Sequence, residues 1–523
     1  MSVISGQAYS GTIRRPIEPV ARISSLHLLL LVTLTLAIIV WGATLVSGAR
    51  GNELWQYVAE AAFFIVACVF FVVTRLTGGF NGVFEIPVFM TLMAIVMFGL
   101  APISCFVYPQ TLSWNFHGDT SFFAPALEIV TVGMGAFWLG AVIVRTKKKA
   151  PPVADLASLP GSAPQMLTLV LAACIYIGAI GARIYMLRAG LFGYLQSYQA
   201  TQSDLAQTQV WLVLEVFGFW AFVIFGIEAY FHPRDKFRAG LFWIVLASEL
   251  YWGLLSGMKR PLFVTLTSVA LLSSFAKGKL RIRWLVLVSL GFVAVYPLIN
   301  SYRTMVHPKP TDFSVSNVGE ASQAMQGAAM QSADQQRTAA DWAASGLTSA
   351  MGRLDMTQEV ALLLAYQDRA YLLQGDWQLW MIPFYPFIPR LIWPDKPVED
   401  IGGRFTRLLT RGQDTISCTS PTVMGDLYIL HGGYPGMIAG MFLIGLITQW
   451  LTNPVLRCPS KRNLFIYACM FITLANWEND FFAFMTGSIR SFVIVQVLAL
   501  TVYGLPHAPS RVGMFLGRAV HRR

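Results

Sequence analysis

Six basic residues of this chain are predicted to lie at one boundary of a membrane, and their chemistry suggests what they bind. They are Lys259, Arg260, Arg303, Arg353, Arg390 and Arg490. Clustered guanidinium and ammonium groups bind phosphate, which arginine can hold through two parallel hydrogen bonds. A saccharide linked to a polyprenyl chain through a diphosphate would have its diphosphate at this depth, with hydrocarbon below it and the sugar above it. We therefore expect these residues to form a diphosphate-binding site.

The pair Lys259-Arg260 carries most of this argument because it joins two short apolar stretches, 241–257 and 261–276. As helices, stretches of 16–17 residues reach only about 24–26 Å, less than the ~30 Å hydrocarbon core. The turn is therefore expected at or slightly below the headgroups, where cations are costly. Snorkelling of both side chains to lipid phosphates is the alternative explanation.

A diphosphate is a weakly basic leaving group, so cations can stabilise it without a general acid. The attacking hydroxyl still needs a carboxylate or an imidazole as general base. The candidates are Asp426, His431, Glu478 and Asp480. The alternatives are that Glu478 and Asp480 are merely solvated, and that His431 ends a helix and bonds to its backbone.

The composition determines the class of protein in which these residues lie. Of 523 residues, 55% are hydrophobic and 12% are charged, whereas soluble proteins carry roughly 25% charged residues. Twelve stretches are long and apolar enough to be considered as helical spans. They are 26–46, 56–74, 84–107, 123–144, 165–187, 211–231, 241–257, 261–276, 284–300, 424–452, 463–476 and 488–505. We predict an all-α polytopic integral membrane protein with about twelve transmembrane helices.

Basic residues cluster in alternate loops, which by the positive-inside rule places both termini in the cytoplasm. The formal net charge of +11 is thus explained by topology, and nucleic acid is not an expected partner. Three regions follow: helices one to nine in 1–300, one large extracytoplasmic segment in 301–422, and helices ten to twelve in 423–523. The short outer segments hold few cations, among them Arg183.

The extracytoplasmic segment contains the aromatic run 377–397, in which five prolines prevent a regular helix. Such a segment fits the membrane interface or the wall of a cavity. Trp393 and Tyr385 are candidate sugar contacts, together with Asp355. The spacing of Asp355 and Gln358 also predicts a helix cap at Asp355, and a cap is compatible with a substrate contact.

The sequence argues against ATP or nucleotide-sugar chemistry on the cytoplasmic side. The longest inner loop, 145–164, has about twenty residues, and the chain has no GxxxxGK[ST] motif. Six cysteines without a CxxC pair predict neither a disulfide framework nor a zinc site. We expect no cofactor and no metal.

Several motifs resemble those of the Wzy-type polysaccharide repeat-unit polymerases. They are Gly257-Met258-Lys259-Arg260-Pro261, Arg353-Leu354-Asp355, FIPRLIWPDKP at 387–397, and Gly425-Asp426-Leu427-Tyr428 followed by Gly432-Gly433. The last is similar to the family's GE-x-Y…G stretch, but Asp426 replaces the usual Glu and His431 stands where a neutral residue is common.

The resemblance implies a fold like that of the C-type glycosyltransferases. It also implies a metal-independent polymerase that joins undecaprenyl-diphosphate-linked repeat units at the periplasmic face of a bacterial inner membrane, as in O-antigen or exopolysaccharide biosynthesis. Its expected partners are the lipid-linked oligosaccharide, membrane lipids, and chain-length regulator and flippase proteins. Two other functions stay open: an O-antigen ligase-like transferase, and a transporter or flippase of a lipid-linked glycan. A transporter is disfavoured because the sequence shows no convincing internal repeat.

Overall fold

The computed structural model of the protein describes residues 51–76, 83–103, 120–145, 165–195, 202–277, 282–306, 317–335, 338–367, 384–385, 388, 393, 421–457 and 460–504. Within these ranges all regular structure is helical. The predicted first span, 26–46, lies outside the described residues, as does most of the aromatic run 377–397.

The helices are numbered here in chain order. They are α1 (Gly51–Leu76), α2 (Ile86–Ala94, continued by a π-helical turn Ile95–Leu100), α3 (Phe123–Val144), α4 (Gln165–Arg188), α5 (Gln202–Phe231), α6 (Lys236–Leu255), α7 (Lys259–Lys277), α8 (Ile282–Val306), α9 (Val318–Gln335), α10 (Ala339–Leu354), α11 (Thr357–Ala365), α12 (Thr422–Leu430), α13 (Tyr434–Arg457), α14 (Lys461–Leu474) and α15 (Phe481–Tyr503).

Seven of the described helices are long and apolar enough to cross a membrane: α1, α3, α4, α5, α8, α13 and α15. The segment Ile86–Leu100 is a shorter apolar helix. Because backbone polar groups must be satisfied internally in lipid, several apolar helices in one chain define a polytopic membrane protein. The prediction of a polytopic all-helical membrane protein is confirmed in this form.

The structure corrects several predicted bounds. The helices that flank the Lys259 turn, α6 and α7, have 20 and 19 residues. They reach about 30 and 28 Å, so the turn need not lie below the headgroups. Helical hydrogen bonding continues past the apolar residues into the charged ends, which an apolar window does not detect.

The predicted tenth span, 424–452, is two helices, because the chain breaks after Leu430 at two glycines with φ of +84° and +78°. The predicted twelfth span, 488–505, begins earlier, at Phe481. Arg490 is therefore well inside α15 and not at its boundary. Arg183 is likewise within α4, where its Nη1 atom lies 2.6 Å from a carboxylate oxygen of Glu249 in the bundle.

Two groups of buried ion pairs close one end of the bundle. Glu228 at the end of α5 accepts hydrogen bonds from Lys461 Nζ at 2.8 Å and from Arg238 Nη1 at 3.0 Å. Glu85 before α2 accepts from Arg145 Nη2 at 3.0 Å. We call this the Glu228 end, and the opposite end, where α6 passes into α7, the Lys259 end.

Helices α3 and α13 cross at close range, and this crossing depends on glycine. A Cβ atom at Gly140 would overlap the carbonyl oxygen of Phe442, and one at Gly445 would overlap that of Phe137. Small residues let helix backbones approach in this way, and van der Waals packing then holds them together. A larger residue here must separate the two helices.

We predict that Gly140→Ala destabilises the protein by about 1–3 kcal/mol, as expected for overpacking. Unfolding in detergent or nanodiscs measures the effect. Gly135→Ala on the same helix is the matched control, since a Cβ there meets nothing within 4 Å, and it should be neutral or slightly stabilising. Equal stability of the two variants would contradict the glycine-dependent crossing.

Candidate functional site

The turn between α6 and α7 is held rigidly at the Lys259 end. Gly257 adopts φ of +63°, a left-handed conformation that favours glycine. Arg303 Nε donates to the Gly257 carbonyl at 2.8 Å, and the Tyr302 hydroxyl donates to the Leu255 carbonyl at 3.0 Å. The backbone N–H of Tyr194 donates to the Ser256 carbonyl at 2.8 Å. One helix, α8, and the loop at Tyr194 thus fix where Lys259 begins α7.

Lys259 is positioned by α8. Its Nζ atom lies 3.4 Å from the centroid of the Tyr296 ring and donates to Asn300 Oδ1 at 3.0 Å. Arg303 follows on the same helix, with its Cζ atom 4.2 Å from the centroid of the Tyr194 ring. Residues 296, 300 and 303 share one helical face, so this face of α8 both contacts Lys259 and carries Arg303.

Arg353 comes from a different element, the last turn of α10. Its Nη2 atom lies 3.4 Å from Glu478 Oε2, and the two side chains are 59% and 36% exposed. An ion pair this exposed contributes about 0–1 kcal/mol. Both side chains are therefore available to another ligand at little cost.

The predicted cations Lys259, Arg303 and Arg353 are brought close enough to repel one another. The pKa of Lys259 is lowered to about 7, mainly by burial and also by repulsion from Arg303 and Arg353, while Glu478 opposes the change. An anion bound between these groups would relieve the repulsion. The electrostatics thus favour an anionic ligand at this place.

The other predicted cations have different placements. Arg260 is exposed on α7 and is attracted by Glu478, whereas Arg390 lies outside the described residues. Arg490 lies nine residues beyond Phe481 on α15, about 13.5 Å along the helix axis, so the structure does not bring it to the cluster. The reason is the early start of α15.

Glu359, on α11, belongs to the site but was missed in the sequence. It is half-buried, and its pKa is raised to about 7. Burial is the main cause, Asp355 and Glu478 contribute to the rise, and Arg353 opposes it. It follows Asp355 by four residues on a helix that starts beside Arg353. This i, i+4 spacing of two carboxylates is the signal that could have identified it.

Asp355 is fully buried, and the predicted helix cap at this residue is confirmed. Its Oδ1 accepts hydrogen bonds from the backbone N–H groups of Thr357 at 3.0 Å and Gln358 at 3.2 Å. The next residues are tied to α2, because the N–H of Met356 and the hydroxyl of Thr357 donate to carbonyls at 97 and 98. The cap therefore fixes α11, and with it Glu359, against the bundle. A sugar contact of Asp355 stays a prediction.

The two aromatic residues predicted to contact sugar lie together. Tyr385 is buried against the main core, and its ring meets the half-buried ring of Trp393 edge to face at 5.4 Å between centroids. Their role in sugar binding is still a prediction.

Three of the predicted bases form a second group at the start of α15. Asp426 is fully buried and its Oδ2 accepts from the N–H of Phe481 at 2.7 Å; Asp480 caps α15 by accepting from the N–H of Ala483 at 2.7 Å. His431 ends α12, and its ring lies 5.5 Å from that of Phe481. Of the four candidates, Glu478 is the one with an ion pair to a predicted phosphate-binding residue.

The carboxyl groups of Asp426 and Asp480 both lie in a buried, low-dielectric part of the protein. Burial raises the pKa of Asp426 well above its ordinary value and Asp480 raises it further, while backbone hydrogen bonds from Phe481 and Phe482 oppose this. Burial also raises the pKa of Asp480. Burial and the neighbouring carboxyl therefore both favour the protonated form of Asp426.

Among the described residues no group of three or more His, Cys, Asp or Glu side chains could hold a metal ion.

The chain belongs to the family described as a domain of unknown function (DUF8712), which matches residues 182–504, more than half of its length. The matched region contains Lys259, Arg303, Arg353, Glu359 and Glu478. Comparisons with curated proteins and with solved structures give no match.

We predict that the stability of Asp426→Asn falls less than that of the wild-type protein as the pH rises above neutral. A raised folded-state pKa means that the folded protein binds the proton more tightly than the unfolded chain. Stability from this proton is full below the unfolded pKa and is lost as pH rises through the folded pKa. Asparagine keeps the acceptor for the Phe481 N–H, so the variant should differ by no more than about 1 kcal/mol at pH 6 and gain relative to wild type at pH 9.

Thermal unfolding across pH 6–9 measures this difference. Asp235→Asn is the control, since Asp235 also caps a helix, α6, but at the Glu228 end. Parallel pH profiles for wild type and Asp426→Asn would show that the buried carboxyl does not hold the proton.

Proposed function

We propose that the chain is a metal-independent membrane glycosyltransferase that polymerises undecaprenyl-diphosphate-linked oligosaccharide repeat units into a surface polysaccharide or exopolysaccharide. The reaction takes place at the periplasmic face of a bacterial inner membrane. In this proposal the chain crosses the membrane about twelve times, with both termini cytoplasmic and a fold like that of the C-type glycosyltransferases.

The observation that carries this proposal is the convergence of Lys259, Arg303 and Arg353 at one end of the bundle. Arg353 and Glu478 are 125 residues apart in the chain, and Lys259 and Asn300 are 41 apart, yet all lie in one cluster. Arginine and lysine so placed suit the oxygens of a diphosphate. The site lies where apolar helices end, which suits a ligand with a lipid tail and a polar head.

Charge distribution supports the orientation. The predicted cytoplasmic loops meet at the Glu228 end, where Arg145, Arg238 and Lys461 all pair with buried carboxylates. The Lys259 end then faces the periplasm.

The proposed chemistry needs one general base and a group of cations that stabilises the leaving diphosphate. A hydroxyl of the acceptor saccharide attacks the anomeric carbon of the donor sugar, whose bond to the diphosphate oxygen breaks. The polyprenyl diphosphate leaves with the bonding electrons and is stabilised by Arg353, Lys259 and Arg303. The hydroxyl proton passes to a carboxylate.

Glu359 suits this role best, because its pKa of about 7 matches the optimum for a general base at neutral pH. Glu478, which is paired with Arg353, is the alternative. Asp426, His431 and Asp480 are less suited, since their described contacts orient the start of α15.

We predict that a strain lacking this protein accumulates single repeat units on the lipid carrier. Restoring the wild-type chain should restore long polymers, whereas Arg353→Ala and Lys259→Ala should reduce polymer at least about tenfold, the loss expected from one removed charged hydrogen bond. Arg234→Ala, an exposed cation at the Glu228 end, is the matched control and should restore polymer fully.

Gel analysis of lipid-linked glycans reads the result. Long chains that build up on the lipid carrier would indicate a ligase. Repeat units trapped in the cytoplasm would indicate a transporter. Either outcome contradicts the polymerase.

The pH dependence of the rate tests the role of Glu359. With a pKa of about 7 the carboxyl is protonated at lower pH, so kcat/KM should fall below pH 7. Deprotonation of Lys259, whose pKa is also about 7, should weaken binding above it, which gives a bell-shaped profile.

Glu359→Gln should abolish the acidic limb and lower kcat roughly 10²–10⁴-fold. Glu320→Gln, in the first turn of α9, is the control. A variant at 359 that retains the acidic limb would assign the base elsewhere.

A further inference from the structure

An apolar groove of about 150 Å³ lies between α13, α14 and α15. Its walls come from all three helices and include Trp450, Leu474, Met485 and Ile489. These helices belong to the apolar part of the bundle, and α13 and α15 are candidate membrane spans. The groove thus lies in a part of the bundle that is apolar enough to contact lipid chains.

One end of the groove lies at the Lys259 end of the molecule. Leu474 is the last residue of α14, and Phe484, which also lines the groove, is in the first turn of α15. Glu478 is four residues beyond Leu474, so the two Cα atoms are at most about 15 Å apart. Since Glu478 contacts Arg353, the groove starts close to the cation cluster.

The groove then follows α15 toward the middle of the bundle. Its residues on this helix extend from Phe484 to Phe492, about 12 Å along the axis. Trp477, in the loop between α14 and α15, donates a hydrogen bond from its indole N–H to the carbonyl of Met90 at 2.9 Å. The loop that joins two walls of the groove is therefore anchored to α2.

We propose that this groove binds the first isoprene units of the polyprenyl chain whose diphosphate lies at Arg353 and Lys259. The inference rests on the proposed function and adds a second contact to it. The cations at Arg353 and Lys259 and the apolar groove begin close to each other. Together they match a single amphiphile that has an anionic head and an apolar tail. Contact with branched and aromatic side chains, such as Ile489 and Phe492, suits a methyl-branched chain.

The groove selects through shape, because lipid tails are as apolar as the groove itself. Without a hydrophobic driving force, close van der Waals contact decides which chain is held. Holding the first isoprene units would also fix the direction of the diphosphate above them. The donor sugar would then be presented to the base in one orientation.

The test measures binding to the full-length chain in nanodiscs, with undecaprenyl diphosphate and inorganic diphosphate as probes. Ile489→Trp and Met485→Trp fill the groove. Each should weaken undecaprenyl diphosphate binding at least tenfold and leave inorganic diphosphate binding unchanged. Val497→Trp is the matched control, since Val497 lies on the same helix but is 59% exposed, and it should bind both probes like wild type.

The outcomes distinguish binding in the groove from binding at the cations of Arg353 and Lys259. If the groove variants bind undecaprenyl diphosphate normally while Arg353→Ala binds neither probe, the groove proposal is overturned and the proposed function stands. If Arg353→Ala binds both probes normally, both fail. If phosphatidate competes with undecaprenyl diphosphate in wild type but not in Ile489→Trp, the groove accepts acyl chains in general and the isoprenoid assignment is wrong.

A second measurement avoids substitutions that could disturb folding. A polyprenyl diphosphate with a photoreactive group in one of its first isoprene units should label peptides of α13, α14 or α15 in the unaltered chain. Labelling confined to other helices would overturn the proposal.

Discussion

Charges inside an apolar bundle must be neutralised, and the structure meets this requirement differently at its two ends. At the Glu228 end and within the bundle, buried carboxylates are matched by cations: Glu228 with Lys461, Glu85 with Arg145, and Glu249 with Arg183. Such pairs hold helices together because removing one partner leaves a buried charge. At the Lys259 end, by contrast, Lys259, Arg303 and Arg353 lie near the carboxylate of Glu478, which is partly exposed and pairs with Arg353. This arrangement of charges distinguishes the Lys259 end from the Glu228 end.

The Lys259 site is built by packing and not by a single motif. One face of α8 carries Tyr296, Asn300 and Arg303 against the Gly257 turn, and the end of α10 brings Arg353 to the loop before α15. The Asp355 cap then directs α11 so that Glu359 joins the group. A half-buried carboxyl beside cations can be both a proton acceptor and a neighbour of an anionic leaving group. The loop that contains Glu478 leads into α15, so the cations at the Lys259 end and the apolar groove are connected through this helix.

Asp426 and Asp480 have a structural role at the start of α15, and their role as general bases stays a prediction. Both accept hydrogen bonds from the first residues of α15, so their carboxyl oxygens orient the helix that lines the groove. A capping carboxylate at a helix start is favoured by the helix dipole. From the sequence alone, a carboxylate that caps a helix cannot be distinguished from a general base. Its position in the chain does not show which groups donate hydrogen bonds to it.

The sequence by itself determined the class of protein and the places of most described spans, because the length and apolarity of a helix are local properties. It also placed Lys259, Arg303 and Arg353 at a common boundary, since the alternation of spans orders their ends, and it predicted the cap at Asp355 from two residues three apart. Only the tertiary structure decided which cations meet, that Arg490 lies along α15 away from them, that Arg183 pairs inside the bundle, and that Glu359 joins the site. These outcomes depend on where helices begin and on how they rotate and pack against partners far away in the chain, which no local pattern encodes.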